Sequence, residues 1–409
     1  MIKRALVMLL ACAAVSASAI ALALPATTPD ATLGTDGTVR ALLQVGGVMW
    51  VGGQFSATSD GQAGLSNIVG LDVSTGQRAA SVVDVPKLTG SGSIVYDLST
   101  DGTNVYAAGK FTAANGAKNL VAFNAVTGTL TQKFIAPALK SALYDNGRVL
   151  GGSSMLQAWL PAGGKDPSWD VTTLHIDASL RAHTTTPAYR DVKPAPGGGY
   201  FAACQCDSLT DGGTTYQTKA IVRLNADGSY DGSWKPGGDN PLPVNSAAFG
   251  IDVFVDTDGV LLAAGGSDFT DKYNLVTGQK MWRTDTNGSS QAVTRFNDAQ
   301  GSNYFVGGHY RCLSGTASAG NQTDVFHPRL SALGLNGVLD QSWTVPITPT
   351  YNAVWVVAQD SLGRLWIGGE FKKVGGNWSG DATNTCDSGR PTAKNQTSQT
   401  YLARFSAGS

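Results

Sequence analysis

The sequence predicts an all-β fold, a seven-bladed β-propeller of four-stranded antiparallel blades, and three observations point to it. A short phrase of an apolar pair, a small pair, a polar residue and an aromatic returns seven times along the chain. Each copy is flanked by short runs of strand-forming residues and by glycine turns. Gly is abundant (51 of 409 residues) while charged residues make up only 14%, a composition suited to short strands and tight turns.

The phrase is clearest in Trp50-Val51-Gly52-Gly53-Gln54-Phe55, Tyr106-Ala107-Ala108-Gly109-Lys110-Phe111, Phe305-Val306-Gly307-Gly308-His309-Tyr310 and Trp366-Ile367-Gly368-Gly369-Glu370-Phe371. Weaker copies begin at Val149, Phe201 and Leu262. The spacing, about forty to sixty residues, lies in the range of propeller blades. Before each copy runs a strand such as Val39-Arg40-Ala41-Leu42, Tyr96-Asp97-Leu98 or Val354-Trp355-Val356-Val357. Asp101-Gly102, Asn146-Gly147 and Asp258-Gly259 join strand to phrase and supply the positive φ of a tight hairpin. A loop of variable length follows, then a third strand (Ile68–Asp72, Leu120–Asn124, Ile221–Asn225, Leu402–Phe405), a second turn (Thr75-Gly76, Thr127-Gly128, Thr277-Gly278) and an outer segment carrying an aromatic at Phe134, Trp169, Trp234, Trp282 or Trp343. One such unit cannot bury its own faces, so neighbours must stack. Glycine in a strand marks close backbone approach, and the recurring aromatics are expected to fill the wedge between blades.

The last unit ends at Phe405 without an outer strand. The stretch from Asp30 to Asp36 is expected to supply it and close the ring, with Asp30-Ala31-Thr32-Leu33 standing where Asp340-Gln341-Ser342-Trp343 stands in unit six. Closure removes exposed sheet edges. Eight blades, or six if the irregular third unit is degenerate, are the alternatives.

These residues resemble the delta-60 repeat, a β-propeller repeat of secreted bacterial proteins of unknown function. Val51-Gly52-Gly53-Gln54-Phe55, Asn67 to Asp72 and Thr75-Gly76, with their counterparts, carry the resemblance. It implies the propeller fold and no defined activity, cofactor or catalytic residues.

Residues 1–25 read as a signal peptide: Lys3 and Arg4, then an alanine-rich apolar run to Leu24. A membrane anchor and a lipid-modified Cys12 are the rival readings. Residues 26–409 then form one secreted, extracellular propeller domain, expected to be a monomer. The net charge of −1 and the absence of a basic stripe argue against nucleic acid as partner.

Export to an oxidising compartment leaves four cysteines to pair. Long insertions at about 311–329 and 372–400 lie in adjacent units on one face, and each holds one cysteine, so a Cys312–Cys386 disulfide is expected. Cys204 and Cys206 are left as a bonded pair or as two buried thiols. Loops this long are uncommon unless functional or disordered. The insertions gather His309, Tyr310, Arg311, Asp324 and His327 on one side and Glu370, Lys372, Trp378, Asp381 and Arg390 on the other. Tyr310 and Trp378 beside polar groups suit sugar stacking and hydroxyl recognition, while a packing role for Trp378 is the plainer reading. Asp256-Thr257-Asp258-Gly259 has the start of a calcium loop without its distal ligands, and reads as a turn. Gly-x-Ser-x-Gly and His-Glu-x-x-His are absent, so a non-catalytic module binding a glycan or an extracellular protein is favoured, with no metal and no cofactor. A secreted carbohydrate-active hydrolase or lyase with a dispersed site is the alternative.

Overall fold

The computed structural model describes residues 24–169, 175–177, 188–206, 208–218, 220–237, 248–298, 301–314, 325–379, 386 and 392–407. Residues 1–23, with Cys12 and all but the last two residues of the expected signal segment, lie outside them. Among the described residues there is no helix, and the strands pair antiparallel. No helix there is long and apolar enough to cross a membrane.

Each copy of the phrase forms the second strand of a sheet, paired on one side with the strand before it and on the other with the strand after it. The first strands are Thr38–Val45, Leu88–Thr100, Ser141–Asp145, Ala188–Pro194, Phe249–Val255, Ser290–Asp298 and Ile347–Gln359. We number their sheets 1 to 7. Each first strand lies against the first strand of the next sheet, and that of sheet 7 lies against that of sheet 1. This is the arrangement of a β-propeller, with first strands innermost.

The small pair has two distinct causes. A Cβ on Gly52 would stand 2.6 Å from Val95 of sheet 2, and one on Gly368 would stand 2.3 Å from Val39 of sheet 1. The first glycine therefore lets the neighbouring sheet close in. A Cβ on Gly53 or Gly369 would lie about 2 Å from the Thr38 or Ala353 carbonyl of its own hairpin. There the first strand bulges, with Val39 opposite Gly53 and Ala41 opposite Gly52, so that Arg40 has no partner across the ladder.

Sheets 2 and 5 have complete outer strands, Leu130–Lys133 and Lys280–Asp285. In sheets 1, 3, 4 and 6 the expected fourth strand shrinks to a single bridge, such as Leu224–Tyr230 or Leu333–Leu339. The cause is local. In Asp166-Pro167-Ser168-Trp169, Asp231-Gly232-Ser233-Trp234 and Asp340-Gln341-Ser342-Trp343 the aspartate accepts from the serine amide and hydroxyl, which turns the chain away from the ladder. The turn sends the indole inward, against the phrase aromatic of the second strand or of its neighbour: Phe201–Trp234 ring centroids are 5.0 Å apart and Phe305–Trp343 4.9 Å. The Trp234 indole NH then donates onward to the Asn274 carbonyl, and Trp282 of the complete outer strand of sheet 5 donates likewise to that of Leu335.

The N-terminal segment lies beside sheet 7. The Asp30 amide donates to the Arg404 carbonyl at 2.7 Å, as the Asp340 amide does to Ala332 and the Asp231 amide to Arg223. Pairing starts earlier than expected, with the Ala26 amide on the Ser406 carbonyl. Trp343 donates to the Pro25 carbonyl.

Asn146 and Gly147 adopt the positive φ expected of them, at 47° and 77°. The Asp258-Gly259 turn differs: Gly259 opens its strand instead, where a Cβ would meet the Lys272 side chain at 2.4 Å.

Candidate functional site

The insertions stand where the second strands end, and the structure sorts the residues expected there. Tyr310 is fully buried. Its hydroxyl donates to the Val306 carbonyl at 2.7 Å and meets Ser331 Oγ at 2.9 Å, so it belongs to the core and not to a sugar platform. His327 is also buried, with Nδ1 3.1 Å from Ser331 Oγ and Nε2 2.6 Å from the Trp343 carbonyl. Burial pushes its pKa down, so it is a neutral brace rather than a ligand. Trp378 is half-buried, packs edge-on against Phe326 at 5.2 Å, and donates to Thr344 Oγ1. It packs one insertion against the other. Short strand pairs, Cys312–Leu313 with Val325–Phe326 and Asn377–Ser379 with Thr392–Lys394, order the described ends of the two insertions.

Cys312 and Cys386 are bonded, joining the insertions across 74 residues. Cys204 and Cys206 are bonded as well. Arg311 anchors its loop through its amide to Asn287 Oδ1, and Lys372 is exposed. Asp324, Asp381 and Arg390 lie outside the described residues. Asp256, the start of the calcium-like motif, is buried and tied to Arg295 and the Tyr304 hydroxyl.

A concentration of chemistry stands instead at the propeller centre, and reading the insertions alone misses it. The bulge seen at Arg40 recurs in the first strands, leaving Tyr96, Arg190, Ile251, Gln291 and Trp355 without partners across their ladders. Lys140 holds the same place in sheet 3, just before Ser141. All seven residues, one from each sheet, line one cavity of about 370 Å³. The bulges oppose the small pairs, near the ends from which the insertions leave, so this ring forms the channel mouth on the insertion face. The signal in the sequence was variability at a fixed register: these seven residues differ in charge and shape, while the pairs beside them stay small.

In two sheets the residue after the small pair supports the ring. Glu370 Oε1 lies 3.4 Å from Arg40 and accepts from the Trp355 indole at 3.2 Å. Arg40 stacks on Trp355 at 3.6 Å. Gln205 accepts from Arg190 at 2.6 Å. Lys140 Nζ lies over the Tyr96 ring at 3.6 Å and has no carboxylate partner among the described residues. Desolvation brings the Arg40 pKa down to about 10 against the pull of Glu370, with Arg190 adding to the fall. The Lys140 pKa falls for the same first reason, with Arg190 and Arg40 repelling it further. His309, at the Glu370 register of sheet 6, is half-buried, is pushed down by burial, and has an unpartnered Nδ1 among the described residues.

One layer deeper, Asp97, Asp191 and Asp252 accept from the Ala142, Val253 and Val293 amides of following sheets. Burial drives the Asp97 pKa up to about 7 and that of Asp252 well above its ordinary value. Asp191 is buried too, but Lys193 at 2.6 Å and a bond from Asp252 hold its pKa low. The Lys193 side chain is 37% exposed although it lies deep in the molecule, because the channel lets solvent reach it. A second cavity of about 460 Å³ lies between the loop that follows the second strand of sheet 1 and the start of sheet 2. Its one charged lining residue, Asp36, is occupied by Ser56 and the Ala57 amide.

No family model matches this chain, and no curated protein matches it. Among solved structures it is similar to a putative 6-phosphogluconolactonase from Bacteroides fragilis (TM-score 0.48, 13% identity, covering 87% of this chain and 97% of that one). It is similar to the WD40 β-propeller domain of Doa1 (TM-score 0.47, 14% identity, 84% and 94%). It is also similar to the extracellular domain of a putative one-component system from B. thetaiotaomicron (TM-score 0.44, 14% identity), where 83% of this chain matches 38% of that one. At such identities and TM-scores none of them carries an argument about the chemistry of this chain.

Proposed function

We propose that this chain is a non-catalytic, extracellular binding module. In this reading it is a seven-bladed propeller closed by its N-terminal segment, and it recognises a glycan or protein partner at the channel mouth on its insertion face. The observation that carries the reading is the ring of bulged residues. Seven sheets each give one residue to a single opening, and six of those residues, all but Ile251, are cations, aromatics or an amide instead of the apolar fill that stability alone favours. Two disulfides suit an oxidising compartment.

The hydrolase alternative has one observation behind it, Asp97 with its pKa raised to about 7 by burial near Asp191, whose own pKa Lys193 holds low. Both carboxylates, however, are spent on backbone amides that tie neighbouring sheets together. The test is a panel of glycans and polysaccharides against the full chain and an Arg40→Met/Trp355→Ala variant. Capture lost in the variant supports the reading. Capture unchanged in the variant removes the mouth as the site, and a glycan shortened with time establishes the catalytic alternative.

A further inference from the structure

We propose that the channel mouth takes the neutral sugar unit at the end of a glycan chain, with one sugar hydroxyl donating to Gln291 Oε1 and another accepting from Arg40 Nε beside the Trp355 indole. This rests on the reading of the mouth as the binding site and adds the class of ligand.

Two buried polar atoms at the mouth have no answer within the protein. Gln291 stands at the bulge of sheet 6, is 4% exposed and lines the cavity of about 370 Å³. Its Oε1 is buried without a hydrogen-bond partner among the described residues. Turning the amide over puts a donor in the same place, equally unpaired. Arg40 lines the same cavity from sheet 1, and its Nε is buried without a partner among the described residues while its Nη2 faces Glu370. A buried polar atom left unpaired is costly, and at Gln291 a leucine fills similar space without that cost. An acceptor and a donor left open around one cavity fit a ligand group that carries both. The torsion that turns a glutamine amide is soft, so a donor in the cavity can draw Oε1 to it.

The surroundings of these atoms suit a sugar. The first strand of sheet 7 lies against those of sheets 6 and 1, so Trp355 stands between Gln291 and Arg40 around the mouth, and Arg40 stacks on it at 3.6 Å. Ile251 lines the cavity from sheet 5, on the other side of Gln291. This arc alternates apolar surface with polar atoms. A sugar ring does the same: its hydroxyls both donate and accept, and its C–H faces pack on an indole. The formal charges of the cavity balance. Arg40, Lys140, Arg190 and Lys193 are matched in number by Asp97, Asp191, Asp252 and, through Arg40, Glu370. A ligand with net charge upsets that balance in a partly desolvated cavity, and a neutral sugar leaves it intact. A cavity of this size lies at the small end of ligand pockets and suits one or two sugar units entering end-on.

The experiment is calorimetric titration of the full chain with short oligosaccharides ending in glucose, galactose, mannose or N-acetylglucosamine. The comparisons are the same chains ending in glucuronate or glucosamine, which add a carboxylate or an ammonium. A neutral end unit is expected to bind at least tenfold tighter than the charged ones, and to change less than about twofold between 50 and 500 mM salt. The salt series uses the unaltered protein, so it holds if a variant fails to fold. Gln291→Leu is expected to weaken binding about fivefold, the effect of one neutral hydrogen bond, and to melt no lower than wild type, because no bond to Oε1 is lost. For one hydroxyl of the end unit, the deoxy sugar is expected to bind wild type about fivefold more weakly and to match its parent in Gln291→Leu, a coupling that altered packing alone does not give. Lys133→Met, on an exposed outer strand, is expected to match wild type. Tighter binding of a charged end unit at the mouth, or binding that weakens several-fold with salt, overturns the neutral-sugar inference and leaves the binding-module reading standing. Deoxy losses that persist undiminished in Gln291→Leu overturn it too, as does a Gln291→Leu protein that melts well below wild type. Sugar binding that survives Arg40→Met/Trp355→Ala overturns both the inference and the mouth as the site. No binding of any oligosaccharide overturns the inference and removes the glycan branch of the wider reading, with its protein branch left standing.

Discussion

Removing the Asp30 side chain tests whether the N-terminal segment holds sheet 7 shut. Asp30 Oδ2 accepts from Arg404 Nε at 2.9 Å and Oδ1 from the Ser406 hydroxyl, and the paired side chains are 18% and 7% exposed. Breaking a buried pair costs about 3–5 kcal/mol when the remaining charge is stranded. Arg404 is not stranded, because its Nη1 also donates to the Val73 and Ser74 carbonyls. The expected loss for Asp30→Ala is therefore about 2 kcal/mol. An unfolding entropy of about 2.1 cal/mol/K per residue gives roughly 0.9 kcal/mol/K for a chain of this length, so Tm falls by about 2 °C. Starting the exported chain at Ala31 instead of Ala26 removes more: the two backbone bonds to Arg404 and Ser406. At about 1 kcal/mol each, these bring the expected fall to about 4–5 °C. Asp60→Ala is the control, because its pair with Arg78 is more open to solvent (27% and 37%) and a surface pair is worth under about 1 kcal/mol. Scanning calorimetry of the three proteins decides. If the chain starting at Ala31 melts within a degree of wild type, the N-terminal segment is not part of the sheet and the closure argument is wrong.

Three further outcomes follow from the same contacts. Trp378→Ala should leave binding at the mouth unchanged while raising the rate of proteolytic cutting within 372–400, since the ring bridges the insertions through Phe326; lost binding with intact insertions would return Trp378 to the ligand site. Replacing Cys312 and Cys386 with serine opens a 74-residue loop and should cost up to about 4 kcal/mol on the chain-entropy account, or about 5 °C in Tm; a shift under 1 °C would show that the insertions are held by their strand pairs alone. Asp97 holds a proton up to about pH 7 in the native state that the unfolded chain releases near 4, so its stabilising contribution is full below about pH 4 and is lost as pH rises through 7. Tm measured from pH 5 to 8 should therefore decline less steeply in Asp97→Asn, the difference being at most about 1.4 kcal/mol per pH unit; identical slopes would refute the assignment.

The repeat, the strand order and the alignment of Asp30 with Asp340 were legible in the sequence because they rest on local rules. Period-two apolar runs, turn glycines and small residues at a fixed place in each unit are properties of a few neighbouring residues. The Cys312–Cys386 pairing was legible for a similar reason, once two adjacent units each held a long insertion with one cysteine. The candidate site was read less well. Tyr310 and His327 have the chemistry of ligand-binding residues, and only packing shows that their polar atoms are consumed by Val306, Ser331 and Trp343. The mouth was hidden for a geometric reason. Arg40, Lys140, Arg190, Gln291 and Trp355 are far apart in the chain, and each alone is an ordinary residue in an inner strand. A bulge opposite a small pair re-aims one side chain in six of the first strands, and their meeting with Lys140 around one opening gathers separate residues into a single candidate site. Local sequence sets each bulge; which residues then face one another across the channel is decided by the stacking of the sheets.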